Sequence, residues 1–127
     1  MKTWEKKLEY QLGNEADKTA VKYELVHFGR DYMLLISGGE AHIGSTAFSD
    51  KNEESGIVQF NRLNHREDLI VKEAINALKD LVPGELMVVG GIHYDGITRK
   101  QIDQINTNCR LLLEKISTEL SKKARLS

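Results

Sequence analysis

The chain has 127 residues, with 18 Lys plus Arg against 19 Asp plus Glu, 40% hydrophobic and 29% charged residues. That size and mixture suit one folded domain, residues 1–127, which buries about two-thirds of its unfolded surface without disulfides or metal. The balanced charge argues against a nucleic-acid partner, and no apolar run approaches the roughly 18 residues of a membrane span.

The start, Met1 to Lys6, has no apolar stretch of the kind a signal peptide needs. Cysteine occurs once, at Cys109, so no disulfide forms within the chain and a reducing compartment fits. Cytoplasm is the expected address.

The first half reads as strands. Trp4, Lys6, Leu8, Tyr10 and Leu12 alternate with Glu5, Lys7, Glu9 and Gln11, and Gly13-Asn14 ends that strand. Val21, Tyr23 and Leu25 alternate with Lys22 and Glu24, giving a second half-buried strand before the turn at Gly29-Arg30-Asp31. Tyr32 to Ile36 is continuously apolar, the mark of a central strand covered on both faces. Gly38-Gly39 breaks it. A fourth strand runs from Ala41 to Phe48, a polar loop from Ser49 to Ser55, and a fifth strand from Ile57 to Phe60. Such short connections predict antiparallel neighbours.

The second half changes period. Ile70, Val71, Ala74, Ile75, Leu78 and Leu81 make an apolar helical stripe, with Asn64 and Glu67 as its capping pair and Pro83-Gly84 as its stop. Leu86 to Ile92 is apolar and rich in β-branched residues, hence an interior sixth strand. Thr98 opens the last helix, with Gln101 completing its capping box. The stripe of that helix runs through Ile102, Ile105, Cys109, Leu112, Ile116 and Leu120. Cys109 lies on this stripe, so it reads as packing and not as a nucleophile. The cations Lys115, Lys122, Lys123 and Arg125 suit the helix C-terminus. The order βββββαβα predicts an α+β fold, a mainly antiparallel sheet of about six strands with two amphipathic helices on one face.

Two segments stand out. Gly38-Gly39-Glu40-Ala41-His42-Ile43-Gly44 and Gly90-Gly91-Ile92-His93-Tyr94-Asp95-Gly96 each place a glycine pair, a histidine and a glycine after an apolar strand. Glycines weaken a sheet, so either backbone geometry or a close approach by a ligand or second chain should account for them. If the two strands are neighbours, His42 and His93 converge on one pocket with Glu40 and Asp95. The residue types allow a divalent metal, acid–base chemistry, or an anion held at Gly96-Ile97-Thr98 with Arg99 and Lys100. Neither a P-loop nor a dinucleotide fingerprint is present, and no serine– or cysteine–histidine arrangement is readable. His27 and His65 read as surface or supporting residues, and Trp4 and Tyr10 as core.

These two segments, with Asn64-His65-Arg66-Glu67-Asp68 leading into a helix, resemble the small D-subunit family of gallate-type aromatic acid decarboxylases, the prenylated-flavin chaperone-like domains. The likeness runs from about residue 20 to 120. It implies a non-catalytic accessory subunit that helps a UbiD-like decarboxylase acquire or mature prenylated FMN. It further implies a transient flavin (prenylated FMN or FMN), a homodimer, and a fold distantly like proteasome-assembly chaperones. By the same resemblance, Gly38, Gly39, Glu40, His42, Gly44, Gly90, Gly91, His93 and Asp95 form the flavin or partner site; the capped helix start at Thr98, with its free N–H groups, is the place for the flavin's phosphate. No catalytic residue and no metal ligand is carried over. Two alternatives stay open: a small metal-dependent or acid–base enzyme using Glu40, His42, His93 and Asp95, and a structural dimeric subunit without ligand.

Overall fold

The computed structural model describes residues 5–54, 56–62 and 68–126, and the side chains among them except those of residues 5–7, 28 and 124–126. Trp4, Asn64, His65 and Glu67 lie outside the described residues, and with them the first helix's capping pair.

Five strands come first: β1 (Glu5–Leu12), β2 (Val21–Phe28), β3 (Asp31–Gly39), β4 (Ser45–Phe48) and β5 (Val58–Asn61). Then follow helix α1 (Asp68–Leu78), a 3-10 turn at Lys79–Leu81, strand β6 (Leu86–His93) and helix α2 (Arg99–Leu126). The element order is the one the periodicities predict.

The strands form one sheet in the order β1-β2-β3-β6-β4-β5. Neighbours are antiparallel except β3 and β6, which run parallel. One expectation fails here. β3 and β4 are consecutive and closely linked, yet they do not pair, because β6 lies between them. Residues 40–44 carry the chain across the end of β6, so the fourth strand begins at Ser45 and not at Ala41. The apolar run of β6 explains its choice of place. An interior slot pairs both its edges and leaves no open ladder.

The register divides the side chains cleanly. Val21, Tyr23 and Leu25 of β2, Leu34 and Ile36 of β3, Leu86 and Val88 of β6 and Ala47 of β4 point to one face and are buried. Both helices cover that face. Val71, Ala74, Ile75 and Leu78 of α1 join Ile105, Cys109, Leu112, Ile116 and Leu120 of α2 in the same cluster. Ile70 and Leu81, also expected on the α1 stripe, are half-buried against it. Leu8, Tyr10 and Leu12 pack from β1, and Lys115 of α2 lies 4.6 Å over the Tyr10 ring. Among the described residues, no helix lies on the opposite face. The expectation that β3 is covered on both faces is therefore met by this chain on one side only.

The loop between β1 and β2 is held by its own turn chemistry. Asn14 donates to Thr19 Oγ1 at 3.2 Å, and Asp17 N donates to Asn14 Oδ1 at 2.7 Å. Asn108 of α2 anchors it by donating from Nδ2 to the Thr19 carbonyl at 3.0 Å. Burial leaves that carbonyl no water, so this bond matters more than a surface one.

Candidate functional site

The two glycine–histidine segments end neighbouring parallel strands. Ser37 pairs with Gly91, Gly38 with Ile92 and Gly39 with His93. Beyond Gly39 the chain turns sharply, and two positions make the turn possible. Gly39 has φ of +62°, a left-handed conformation that side chains resist. Gly91 lies directly beneath the crossing loop, so a Cβ there would collide with the His42 carbonyl. The close approach at Gly91 is thus made by the chain itself. Further bonds pin the crossing: Glu40 N donates to the His93 carbonyl at 3.0 Å, and Gly44 N to the Gly90 carbonyl at 2.9 Å. Arg62 closes the far side, donating from its guanidinium to the Ile43 carbonyl at 2.9 Å.

This crossing brings the imidazoles together. The His42 and His93 rings stand 6.4 Å apart, centroid to centroid, edge to face. His42 Nδ1 lies 3.1 Å from the Glu40 carbonyl oxygen and therefore carries a proton. His93 Nε2 lies 2.9 Å from Asp95 Oδ1. His93, Asp95 and Glu40 are exposed, and His42 is half-buried. Glu40 meets the group through its backbone, and it does not complete a ligand set. Among the described residues, no group of three or more His, Cys, Asp or Glu side chains stands close enough to hold a metal ion.

Downstream of Asp95 the chain enters α2. Thr98 and Gln101 form the reciprocal cap: Thr98 N donates to Gln101 Oε1 at 2.8 Å, and Gln101 N to Thr98 Oγ1 at 3.2 Å. Thr98 is thus a helix cap, and Gly96, with φ of +62°, makes the turn before it. Arg99 pairs with Asp103 at 3.2 Å, and Lys100 is exposed beside it.

Three further side chains act here, of which sequence reasoning missed Lys18 and named Gln101 only as a cap. Lys18 donates from Nζ to the Asp95 carbonyl, and Gln101 Nε2 donates to the Asp17 carbonyl at 2.9 Å. Tyr94 donates from its hydroxyl to the Ala20 carbonyl at 2.7 Å. Together they tie the β1–β2 loop to the Tyr94–Thr98 turn. Burial, with the nearby Glu15 charge, raises the Tyr94 hydroxyl above its usual pKa, so it stays a donor. Tyr94 carried a signal as an aromatic inside a motif, and Gln101 as half of a capping box. Lys18 meets Asp95 through the fold alone.

A polar depression of about 170 Å³ adjoins the first glycine pair, lined by Gln11, Glu15, Lys22, Ser37, Gly38 and Gly39 among others. A wider hollow of about 510 Å³ sits on the outer side of α1, lined by Leu69, Lys72, Glu73, Asn76 and Ala77. Neither is lined by His42 or His93.

Residues 15–121 match the family described as prenylated flavin chaperone LpdD-like domain. The chain belongs to that family. The match spans both glycine–histidine segments and the start of α2. An LpdD-like chaperone domain points to an accessory role. No functionally curated protein matches the chain. Among solved structures, this LpdD-like chain is similar to one described as the crystal structure of a novel chaperone complex for yeast 20S proteasome assembly. The TM-score is 0.54 at 8% identity, over 94% of this chain and 99% of that one, a likeness of fold.

Other reactive groups lie elsewhere. Burial pushes the Cys109 thiol up to about 11, with Tyr23 hydrogen-bonded beside it, and the residue belongs to the core. His27 stacks on Tyr32 with centroids 5.2 Å apart, on the helix-covered side of the sheet. His65 lies outside the described residues. Among those residues no helix is long and apolar enough to cross a membrane.

Proposed function

We propose that this LpdD-like domain is a non-catalytic, chaperone-like subunit that hands prenylated FMN to a UbiD-like aromatic acid decarboxylase. The family supports the flavin and the accessory role. The observation that carries the site is the meeting of His42 and His93 at 6.4 Å on adjoining strand ends. Imidazole faces and edges suit a flat heteroaromatic ring. Lys18, Arg99, Lys100 and the first N–H groups of α2 supply positive potential for a phosphate on the same side of the β1–β2 loop. The exposure of His93 and Asp95 also fits a carrier, which must release what it holds.

The test is titration of the full chain with FMN and with reduced prenylated FMN, followed by flavin fluorescence. A companion assay measures how fast an apo-decarboxylase becomes active when flavin is supplied with or without the protein. We expect binding of the prenylated form and faster activation, with His93→Ala weakening binding roughly tenfold, about 1.4 kcal/mol. A wild-type protein that neither binds flavin nor speeds activation overturns the reading.

A further inference from the structure

Three polar side chains stand in one row on the face of the sheet opposite the helices. Gln11 of β1 pairs with Lys22 of β2, and Lys22 with Ser37 of β3. All three point away from the core, because their chain neighbours Leu12, Val21 and Ile36 point into it. Adjacent strands lie about 4.8 Å apart, so the row spans about 10 Å. With Glu15, Gly38 and Gly39 it lines the polar depression of about 170 Å³. Lys22 is held between the Glu9 and Glu24 carboxylates at 3.4 and 3.5 Å. Among the described residues, neither the Gln11 amide nor the Ser37 hydroxyl has a hydrogen-bond partner. The depression also adjoins the imidazoles. Ser37 pairs with Gly91, over which the His42 carbonyl lies, and Gly39 pairs with His93. Gly39 raises no side chain between the depression and His93.

We infer that this depression holds the ribityl arm of the flavin, a neutral chain of hydroxyl groups, while the ring lies against His93 and His42. The inference rests on the carrier reading and adds to it the residues that recognise the arm, Gln11 and Ser37. Size comes first. A pocket for a whole drug-sized ligand measures about 300 Å³ or more. The 170 Å³ here takes a side arm and not a three-ring system. Charge comes second. One ammonium, that of Lys22, stands among the carboxylates of Glu9, Glu24 and Glu15. A phosphate would meet no net attraction there. Hydrogen bonding comes third. An apolar group would take water from the Gln11 amide and the Ser37 hydroxyl and return no bond. A polyol returns them: its hydroxyls donate to Gln11 Oε1 and Ser37 Oγ and accept from Gln11 Nε2.

Riboflavin and lumiflavin share the ring system and differ in this arm, and neither bears a phosphate. Titration of the full chain with each, read by quenching of flavin fluorescence, therefore isolates the depression. Riboflavin should bind roughly tenfold tighter, the worth of one or two net hydrogen bonds. Ser37→Ala and Gln11→Leu should each bring the two dissociation constants within about threefold of each other. His93→Ala, at the ring, should weaken both and keep their ratio. Ser37→Ala removes only a hydroxyl, so it remains informative if Gln11→Leu disturbs the edge strand β1. Equal affinity of the wild type for the two flavins, or none for either, overturns the inference. So does a preference for riboflavin that survives in both variants. The carrier reading stands in each of these cases if prenylated FMN still binds, and both fall if it does not.

Discussion

Gly91 shows how much one missing methyl group can decide. The His42 carbonyl occupies the space a Cβ would need. Backbone cannot yield as a flexible side chain does, so Gly91→Ala should displace the whole crossing loop. We expect a loss of about 3 kcal/mol, read as a lowered urea midpoint. The separation of the His42 and His93 rings should change with it. Cys109 offers a second test, in pH. Its thiol rises from 9.0 to about 11 because burial disfavours the thiolate, and buried Tyr23 shifts in the same direction. A raised acid is protonated in the fold after the unfolded chain has already released its proton. Its contribution is therefore complete below about pH 9 and fades as pH climbs through about 11. Urea midpoints should fall over that window, and less steeply in Cys109→Ala. Native protein at neutral pH should react slowly with thiol reagents.

At the level of elements, the capping box of α2 invites direct measurement. Thr98→Ala removes the acceptor for Gln101 N and should cost about 1 kcal/mol, visible as a lower melting temperature. Gln101→Ala should also loosen the β1–β2 loop, since Gln101 reaches the Asp17 carbonyl. The helices and most strands were legible in the sequence because their apolar residues recur with the period of the element. Ile105, Cys109, Leu112, Ile116 and Leu120 are buried as their spacing predicts. Strand order was not legible. Nothing local to Gly39 or Ser45 announces that residues 86–93 will pass between them, and a short connection between strands ordinarily means a hairpin. The glycine–histidine segments named the residues at the crossing, but not that the chain fills the space above Gly91 with its own backbone. Nor could they disclose Lys18, whose partner Asp95 is distant in sequence.

For the molecule as a whole, the sheet's two faces have different tasks. One holds the core, sealed by helices whose stripes interlock with Leu34, Ile36, Leu86 and Val88. The other carries none of the described helices and has the crossing loop at one end, where the two imidazoles stand on neighbouring strand ends. The His93 imidazole is exposed and outside the core, so His93→Ala should weaken flavin binding while leaving the far-ultraviolet circular dichroism and the melting temperature unchanged.

The late position of β6 in the chain has a consequence for how the protein comes into being. β1, β2 and β3 form one ribbon and β4 with β5 another, and only β6 joins them. As the polypeptide leaves the ribosome, these two ribbons emerge with unsatisfied edges facing each other across an empty slot. Neither can seal until the segment from Leu86 to His93 arrives, after all five other strands have been made. Folding therefore waits on contacts distant in sequence, the slow kind. In the interval the exposed edges are open to foreign strands. A domain of a chaperone family is itself, for a short time, in need of protection.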